Sequence, residues 1–177
     1  MFVYDRKLPY DMKFAEAKLM QNDIEVWHHE ISSKPKLRTY TQFKTQYVTE
    51  YYISKPISRH RRSLLSQFRM GILPLEIETG RFYPIYDKVL KKNRRREPHE
   101  RICRICKSGD IENELHFLCI CHLYQNVRND LYKKMIDYNS DFMNLSTVEK
   151  FVYMLTQHQL EVSSYIVMAW KLRQELL

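Results

Sequence analysis

The sequence predicts a mainly α-helical fold, arranged as a small helical bundle, on three observations. Only 3 glycines and 6 prolines occur among 177 residues, which leaves few positions for tight turns. Apolar residues recur every three or four positions through most of the chain, as on the buried face of a helix. Hydrophobic residues make up 44% of the chain, enough to bury a sizeable core.

Two helices are predicted in the first third of the chain. The first runs from Tyr10 to about Ile31, and a break at residues 32–35 ends it. Its apolar stripe is Ala17, Met20, Ile24, Trp27 and Ile31. The second is predicted over Lys36–Tyr52, where apolar or aromatic residues recur about every third or fourth position. The Thr and Tyr content of this stretch also allows a strand.

The third predicted helix follows Pro56 and ends at Gly71, with Ser58 as a plausible N-cap. Its buried stripe is Leu64, Leu65 and Phe68. A loop is expected over Glu78–Pro84, followed by the basic run KVLKKNRRR, which is Lys88–Arg96.

Three more helices are predicted after residue 122. The first is Leu123–Tyr138, because Leu123, Val127, Leu131 and Met135 recur every four residues. Ser146 then caps a helix, with Glu149 completing a capping box. The last helix is predicted over Leu160–Leu176.

The formal net charge of +8 and the pI near 9.3 favour an acidic partner, either nucleic acid or an anionic membrane surface, although a basic surface also simply aids solubility. The N-terminal residues mix both signs of charge, unlike a signal peptide. No apolar run approaches the ~18 residues that span a bilayer. We therefore expect an intracellular protein that neither spans a membrane nor carries disulfides.

All four cysteines lie in one window, CRICKSGDIENELHFLCIC, from Cys103 to Cys121. The spacing C-x2-C of Cys103 and Cys106 allows a short loop to aim both sulfurs at one point. His116 and Cys121 are spaced H-x4-C, within the range of second ligand pairs in zinc sites. These residues predict one structural Zn²⁺ with a closed tetrahedral ligand set, because thiolates prefer zinc to magnesium or calcium.

Other interpretations of the window stay open at this point. Cys119 lies one helical turn from His116, so in a regular helix it replaces Cys121 as the fourth ligand. Cys103 and Cys106 also have the spacing of a thioredoxin-like redox pair, but no βαβ pattern surrounds them. Disulfides and unliganded buried cysteines are the remaining alternatives.

The chain is interpreted as three segments that together form one compact domain. Residues 1–92 form a basic helical region, residues 93–138 hold the Cys-Cys-His-Cys segment with the helix that follows it, and residues 139–177 form a C-terminal helical pair. A boundary between the first two is placed within residues 93–101.

Three stretches of the chain match one pattern in order and spacing: KLRTYTQFKTQY (36–47), FRMGILPLEIETGRF (68–82), and the cysteine window with its flanks (101–128). Together they resemble the C-terminal region of reverse transcriptases from animal non-LTR retrotransposons, a region that carries a Cys-Cys-His-Cys zinc-binding segment. The matching positions in the third stretch are Arg101, Cys103, Cys106, Glu112, His116, Leu118, Cys121, Tyr124 and Arg128. The resemblance implies bound zinc, with Cys121 as the fourth ligand.

The chain also departs from that family. Met70 stands where related sequences often have cysteine, and His122 follows Cys121 in place of proline. No Asp-Asp pair, which the family's polymerase needs for magnesium, occurs in the sequence, and no endonuclease motif is recognisable. The resemblance therefore implies a tail piece without polymerase activity. Catalysis by Cys119 with His116 or His122 is the enzymatic alternative, and no orienting third residue supports it.

The predicted function is a zinc-stabilised module that binds nucleic acid. The resemblance implies that the ligand is the RNA of the retrotransposon or its target DNA. No small-molecule substrate is expected. The candidate phosphate contacts are Arg59, Arg61, Arg62, Arg69, Arg94, Arg95, Arg96, Arg101, Arg104 and Lys107. Phe82 and Tyr83 are expected to pack in the core, with stacking on unpaired bases as the alternative. The alternative function is a zinc-stapled interaction domain that docks on a reverse transcriptase domain or another protein.

Overall fold

A computed structural model describes residues 10–177 and confirms the mainly α-helical fold. Its helices are α1 (Tyr10–Ser33), α2 (Arg59–Arg69), α3 (Glu76–Thr79), α4 (Gln125–Tyr138), α5 (Thr147–Gln157) and α6 (Gln159–Leu176). Strands β1 (Ile85–Asp87) and β2 (Lys92–Arg94) form an antiparallel hairpin in which Tyr86 pairs with Asn93. The cysteine window lies between α3 and α4.

Helix α6 is the centre of the bundle, because α2, α4 and α5 all pack against it. The buried side chains at these contacts belong to one hydrophobic cluster. They include Leu65 and Phe68 of α2, Leu131 and Met135 of α4, Phe151 and Met154 of α5, and Val162, Ile166 and Ala169 of α6. Cys103, Cys106 and Cys121 belong to the same cluster. The window is therefore part of the core and not an appendage to it.

The predicted helix ends are confirmed where a cap fixes them. Ser58 accepts a hydrogen bond from the backbone N–H of Arg61, and Ser146 forms the capping box with Glu149. Gly71 ends α2 with a φ of +67°, in the left-handed region that glycine adopts at low cost.

The helix predicted over Lys36–Tyr52 is wrong. The stretch forms short 3-10 turns at Pro35–Leu37, Tyr40–Gln42 and Tyr51–Ser54. The stretch forms hydrogen bonds with distant parts of the chain. The Thr39 hydroxyl donates to Glu114 over 2.8 Å, and the Tyr52 backbone N–H donates to the Gln159 side chain. These tertiary bonds replace the regular backbone ladder that a helix needs.

The basic run Lys88–Arg96 contains the turn and the second strand of the hairpin, which was not predicted from the sequence. Asp87 accepts hydrogen bonds from the backbone N–H groups of Val89 and Leu90, each over 2.9 Å, and this turns the chain back on itself. The first residues of the stretch 93–101, where the segment boundary was placed, belong to β2. The loop expected over Glu78–Pro84 holds the end of α3 and a 3-10 turn at Gly80–Phe82.

The apolar stripe of α1 is buried only at its C-terminal end. Ile31 is buried and Trp27 is half-buried, whereas Ala17 and Met20 are exposed. The rest of the protein therefore covers only the last turns of this long helix. Phe14 and Leu19 are also exposed.

We predict that Leu65→Ala lowers the free energy of unfolding by about 2–5 kcal/mol, because it leaves a cavity at a fully buried position. Leu19→Ala is the matched control, since the same atoms are removed from an exposed helical site, and we expect almost no change. Urea unfolding followed by circular dichroism measures both. Equal effects of the two substitutions would contradict the packing described here.

Candidate metal centre

The first two cysteines lie in a tight loop closed by its own backbone. Cys103 N donates to Asp110 O over 2.8 Å, and Glu112 N donates to Arg101 O over 3.0 Å. Gly109 at the tip has a φ of +87°, in the left-handed region that glycine adopts at low cost. The backbone N–H of Cys106 points at the Cys103 sulfur from 3.5 Å. The loop therefore presents both sulfurs to the same side.

A single turn of π-helix, His116–Ile120, positions the other pair. Its defining hydrogen bond runs from Cys121 N to His116 O over 2.8 Å, so the turn contains one more residue than an α-helical turn. This brings the side chains of His116 and Cys121 to one face despite their H-x4-C spacing. An insertion of this kind in a helical segment is frequent at functional sites.

The loop and the π turn place four ligand atoms together in the core. The sulfurs of Cys103, Cys106 and Cys121 and a ring nitrogen of His116 all lie within 4.8 Å of one another, and all four residues are buried. In a tetrahedral zinc site with Zn–S bonds of about 2.3 Å, such atoms lie roughly 3.5–3.8 Å apart. The group therefore fits one metal ion after small side-chain movements, and no position in the ligand shell is left for water.

Neighbouring polar groups orient the ligands. His116 Nε2 lies 3.4 Å from the Cys106 sulfur, so the other ring nitrogen, Nδ1, points away from the cluster. That Nδ1 is buried without a hydrogen bond, and the Asp110 carboxylate lies 3.8 Å from it. A ligating histidine commonly directs its second nitrogen to a carboxylate, which fixes the ring.

Without a metal ion, protons occupy the ligand side chains, and a metal ion that binds has to displace them. The hydrogen bond with Cys121 and burial raise the pKa of Cys103 to about 12. The same hydrogen bond lowers the pKa of Cys121. Burial acts to lower the pKa of His116, but hydrogen bonds to the Cys103 and Cys106 sulfurs outweigh it and raise that pKa.

Cys119 lies outside the cluster. The group of four ligand atoms contains Cys121 and not Cys119, because the π turn directs Cys119 towards Tyr132, with which it shares a hydrogen bond. Burial raises the pKa of the Cys119 thiol to about 12, so it is a poor nucleophile at neutral pH.

Three buried charged residues around the centre were not predicted as functional. Glu112 accepts hydrogen bonds from Glu76 N and Arg173, each over 2.8 Å, and its other oxygen lies 3.8 Å from the Cys103 sulfur. Arg128 donates to Leu118 O over 2.9 Å and to Cys121 O over 2.6 Å. Glu112 and Arg128 belong to the pattern that carries the resemblance, which is the one sequence signal that marked them; Arg173 had none.

The arginines of α2 do not form the predicted phosphate-binding face. Arg69 is 2% exposed, forms an ion pair with Glu50 over 2.7 Å and donates to Leu155 O. Arg61 donates to Ser163 and Ser164 of α6, and Arg62 donates to the carbonyls of Lys55 and Ile57. These guanidinium groups hold the bundle together, and only Arg59 is exposed.

Among the predicted phosphate contacts nearer the metal centre, some are also engaged by other groups of the protein and others are exposed. Arg94 is held by Asp87 and Glu100, and Arg101 donates to the carbonyls of Ile77 and Arg96. Arg104 pairs with Glu76 over 2.8 Å, and Arg96 lies 4.0 Å from the same carboxylate. Three candidates are exposed, namely Arg95, Arg104 and Lys107. The expectation that Phe82 and Tyr83 pack in the core is wrong, because both rings are exposed.

Comparison with protein-family models, with curated proteins and with solved structures finds no match to this chain. Between residues 10 and 177, no helix has both the length and the apolar character needed to cross a membrane.

We predict that Cys103→Ser and His116→Ala each abolish metal binding and destabilise the fold, because each removes one of four ligands within the core. Cys119→Ser is the control, since it changes the same atom type outside the ligand group, and its metal content stays at that of the wild type. Elemental analysis and thermal unfolding measure the outcome. Unchanged metal content in the two ligand variants would falsify the site.

We also predict that metal affinity falls as the pH falls. The raised pKa of Cys103 means that this thiol holds its proton at neutral pH, and a metal ion has to displace it. Lower pH strengthens the competing proton, so affinity for Zn²⁺ falls roughly tenfold per pH unit for each displaced proton. Competition with a chelator between about pH 6 and 8 measures the slope. Affinity independent of pH would show that the sulfurs are not ligands.

Proposed function

We propose that the protein is a zinc-stabilised module that binds nucleic acid. The observation that carries the proposal is the concentration of charge beside the metal centre. Residues 81–107, hereafter the charged segment, contain ten Lys or Arg and three Asp or Glu. Glu76 and Glu78, which precede the segment, engage Arg104 and Arg81, so the exposed part of this excess of seven positive charges is what a ligand meets.

Zinc is the metal that the ligand set favours. Three thiolates and one imidazole are soft and borderline ligands, which exclude magnesium and calcium. Four ligands without an open position are typical of a structural zinc site, where binding of the ion contributes directly to folding. Burial of the group within the core supports this role.

The exposed part of the charged segment is suited to phosphates. Lys88, Lys91 and Arg95 of the hairpin region are exposed, whereas Arg81 and Arg104 are engaged by Glu78 and Glu76. Lysine and arginine side chains that project into solvent neutralise phosphates and release their counterions, which supplies most of the affinity in binding that is independent of sequence.

Binding is proposed as the whole of the function, without catalysis. The sequence holds no Asp-Asp pair for catalytic magnesium, and Cys119 keeps its proton beside Tyr132. The resemblance to the tail of non-LTR reverse transcriptases supports the same proposal, with the RNA or DNA of a mobile element as the ligand.

A second candidate function is docking on a reverse transcriptase domain. The observation that favours it is the exposure of Met12, Leu19 and Met20, which lie on one side of α1. An apolar surface on one helix is suited to a protein partner and not to phosphates. Co-elution with a purified reverse transcriptase domain, lost in Met12→Ser with Leu19→Ser, tests this function separately.

We predict that nucleic acid binds with steep salt dependence and that the exposed basic residues cause it. In the variant Lys88→Gln, Lys91→Gln, Arg95→Gln, the slope of log affinity against log salt falls by about 2–3, roughly 0.9 for each lost phosphate contact with duplex DNA. Fluorescence anisotropy with a labelled oligonucleotide at several salt concentrations measures it.

The matched control is Lys133→Gln, Lys134→Gln, Lys171→Gln, which removes the same charge from exposed positions on α4 and α6. We expect its slope to equal that of the wild type. Equal losses in both triple variants point to net charge alone and contradict a defined surface. No binding by the wild type at low salt rules out the function.

A further inference from the structure

Two aromatic rings beside the metal centre are held in place yet exposed. Phe82 is 67% exposed and Tyr83 is 52% exposed. A third ring, Tyr86 of β1, is also exposed. Folded proteins usually bury most of the surface of such rings, so neighbouring exposed rings are a surface on which another molecule can bind.

Each of the two rings has a guanidinium group against it. Arg81 lies 4.7 Å from the centre of the Phe82 ring, and Arg104 lies 4.8 Å from the centre of the Tyr83 ring. Arg104 is fixed by its ion pair with Glu76 over 2.8 Å, and Arg81 is fixed by Glu78. The acidic residues of α3 thus engage both arginines, and each arginine lies against one of the rings.

The backbone beneath the rings is also fixed. Tyr83 N donates to Gly80 O over 3.2 Å, which closes the 3-10 turn Gly80–Phe82. A Cβ on Gly80 would lie 3.0 Å from Arg101 Cγ, so the turn packs closely against the segment that leads into Cys103. The turn that carries the rings therefore packs directly beside the metal-binding loop.

We infer that Phe82 and Tyr83 stack on unpaired bases, so that the protein binds single-stranded nucleic acid in preference to duplex. This inference rests on the proposed function and names its ligand. Bases of a single strand present their faces to an aromatic side chain, whereas those of a duplex are stacked on one another. The positive charge of the segment then holds the phosphates that connect the stacked bases.

The test compares oligonucleotides that carry equal numbers of phosphates. Labelled single-stranded DNA, the same strand with abasic sites at its central positions, and the corresponding duplex are titrated by fluorescence anisotropy. Wild type binds the intact single strand at least about tenfold more tightly than the abasic strand, because the abasic strand keeps the charge and lacks the stacking faces.

The variant Phe82→Ala, Tyr83→Ala then loses roughly tenfold or more in affinity for the intact strand. Its affinity for the abasic strand and for duplex is unchanged, and so is its salt slope. Phe14→Ala removes a ring of similar exposure from α1, and we expect no change in any of the three affinities.

The outcomes distinguish a failure of the stacking inference from a failure of the proposed function. If wild type binds none of the three ligands, the proposed function fails. If it binds all three equally and the double variant behaves in the same way, the function stands and the stacking is overturned. Metal content and thermal unfolding confirm that the variant is folded, and Phe82→Leu, Tyr83→Leu replaces it if it is not, since leucine keeps apolar bulk without an aromatic face.

Discussion

The burial of three sulfurs and one imidazole in a hydrophobic core is the constraint on which the rest of the structure depends. A thiolate in an apolar interior is costly unless a cation or hydrogen bonds compensate it. The cluster lies among the same side chains that join α2, α4, α5 and α6, so the charge of the sulfurs has to be balanced at the point where the bundle is packed. Arg128 donates to the carbonyl oxygens of Leu118 and Cys121 and so fixes the backbone that carries the second ligand pair.

The sequence predicted the features that depend on spacing and on local capping. The fold class, the ends of α2 and α5, and the ligand group with Cys121 follow from patterns within a few residues of one another. It could not predict the irregular stretch at 36–52, because the bonds from Thr39 to Glu114 and from Tyr52 to Gln159 join residues far apart in the chain. Long-range bonds of this kind leave no periodic trace.

The arginines of α2 show a second limit of reading charge from sequence. A basic helix face is usually solvated or bound to phosphate. The guanidinium groups of Arg61 and Arg69 instead donate hydrogen bonds to carbonyl, hydroxyl and carboxylate groups of the bundle. A guanidinium group has five donors in a rigid plane, which makes it suited to joining helices from within. Charge that is counted along the chain therefore overstates the charge that a ligand meets.

The ion pair between Glu112 and Arg173 has a consequence for the order in which the molecule assembles. The two residues are separated by 61 positions in sequence, so during synthesis the loop that carries Glu112 emerges long before its partner exists. Until α6 packs against the bundle, that carboxylate has the Glu76 backbone N–H as a partner but lacks Arg173, and burying its charge is costly. Enclosure of the metal centre is thus a late folding step, because it requires α6 to pack against the bundle.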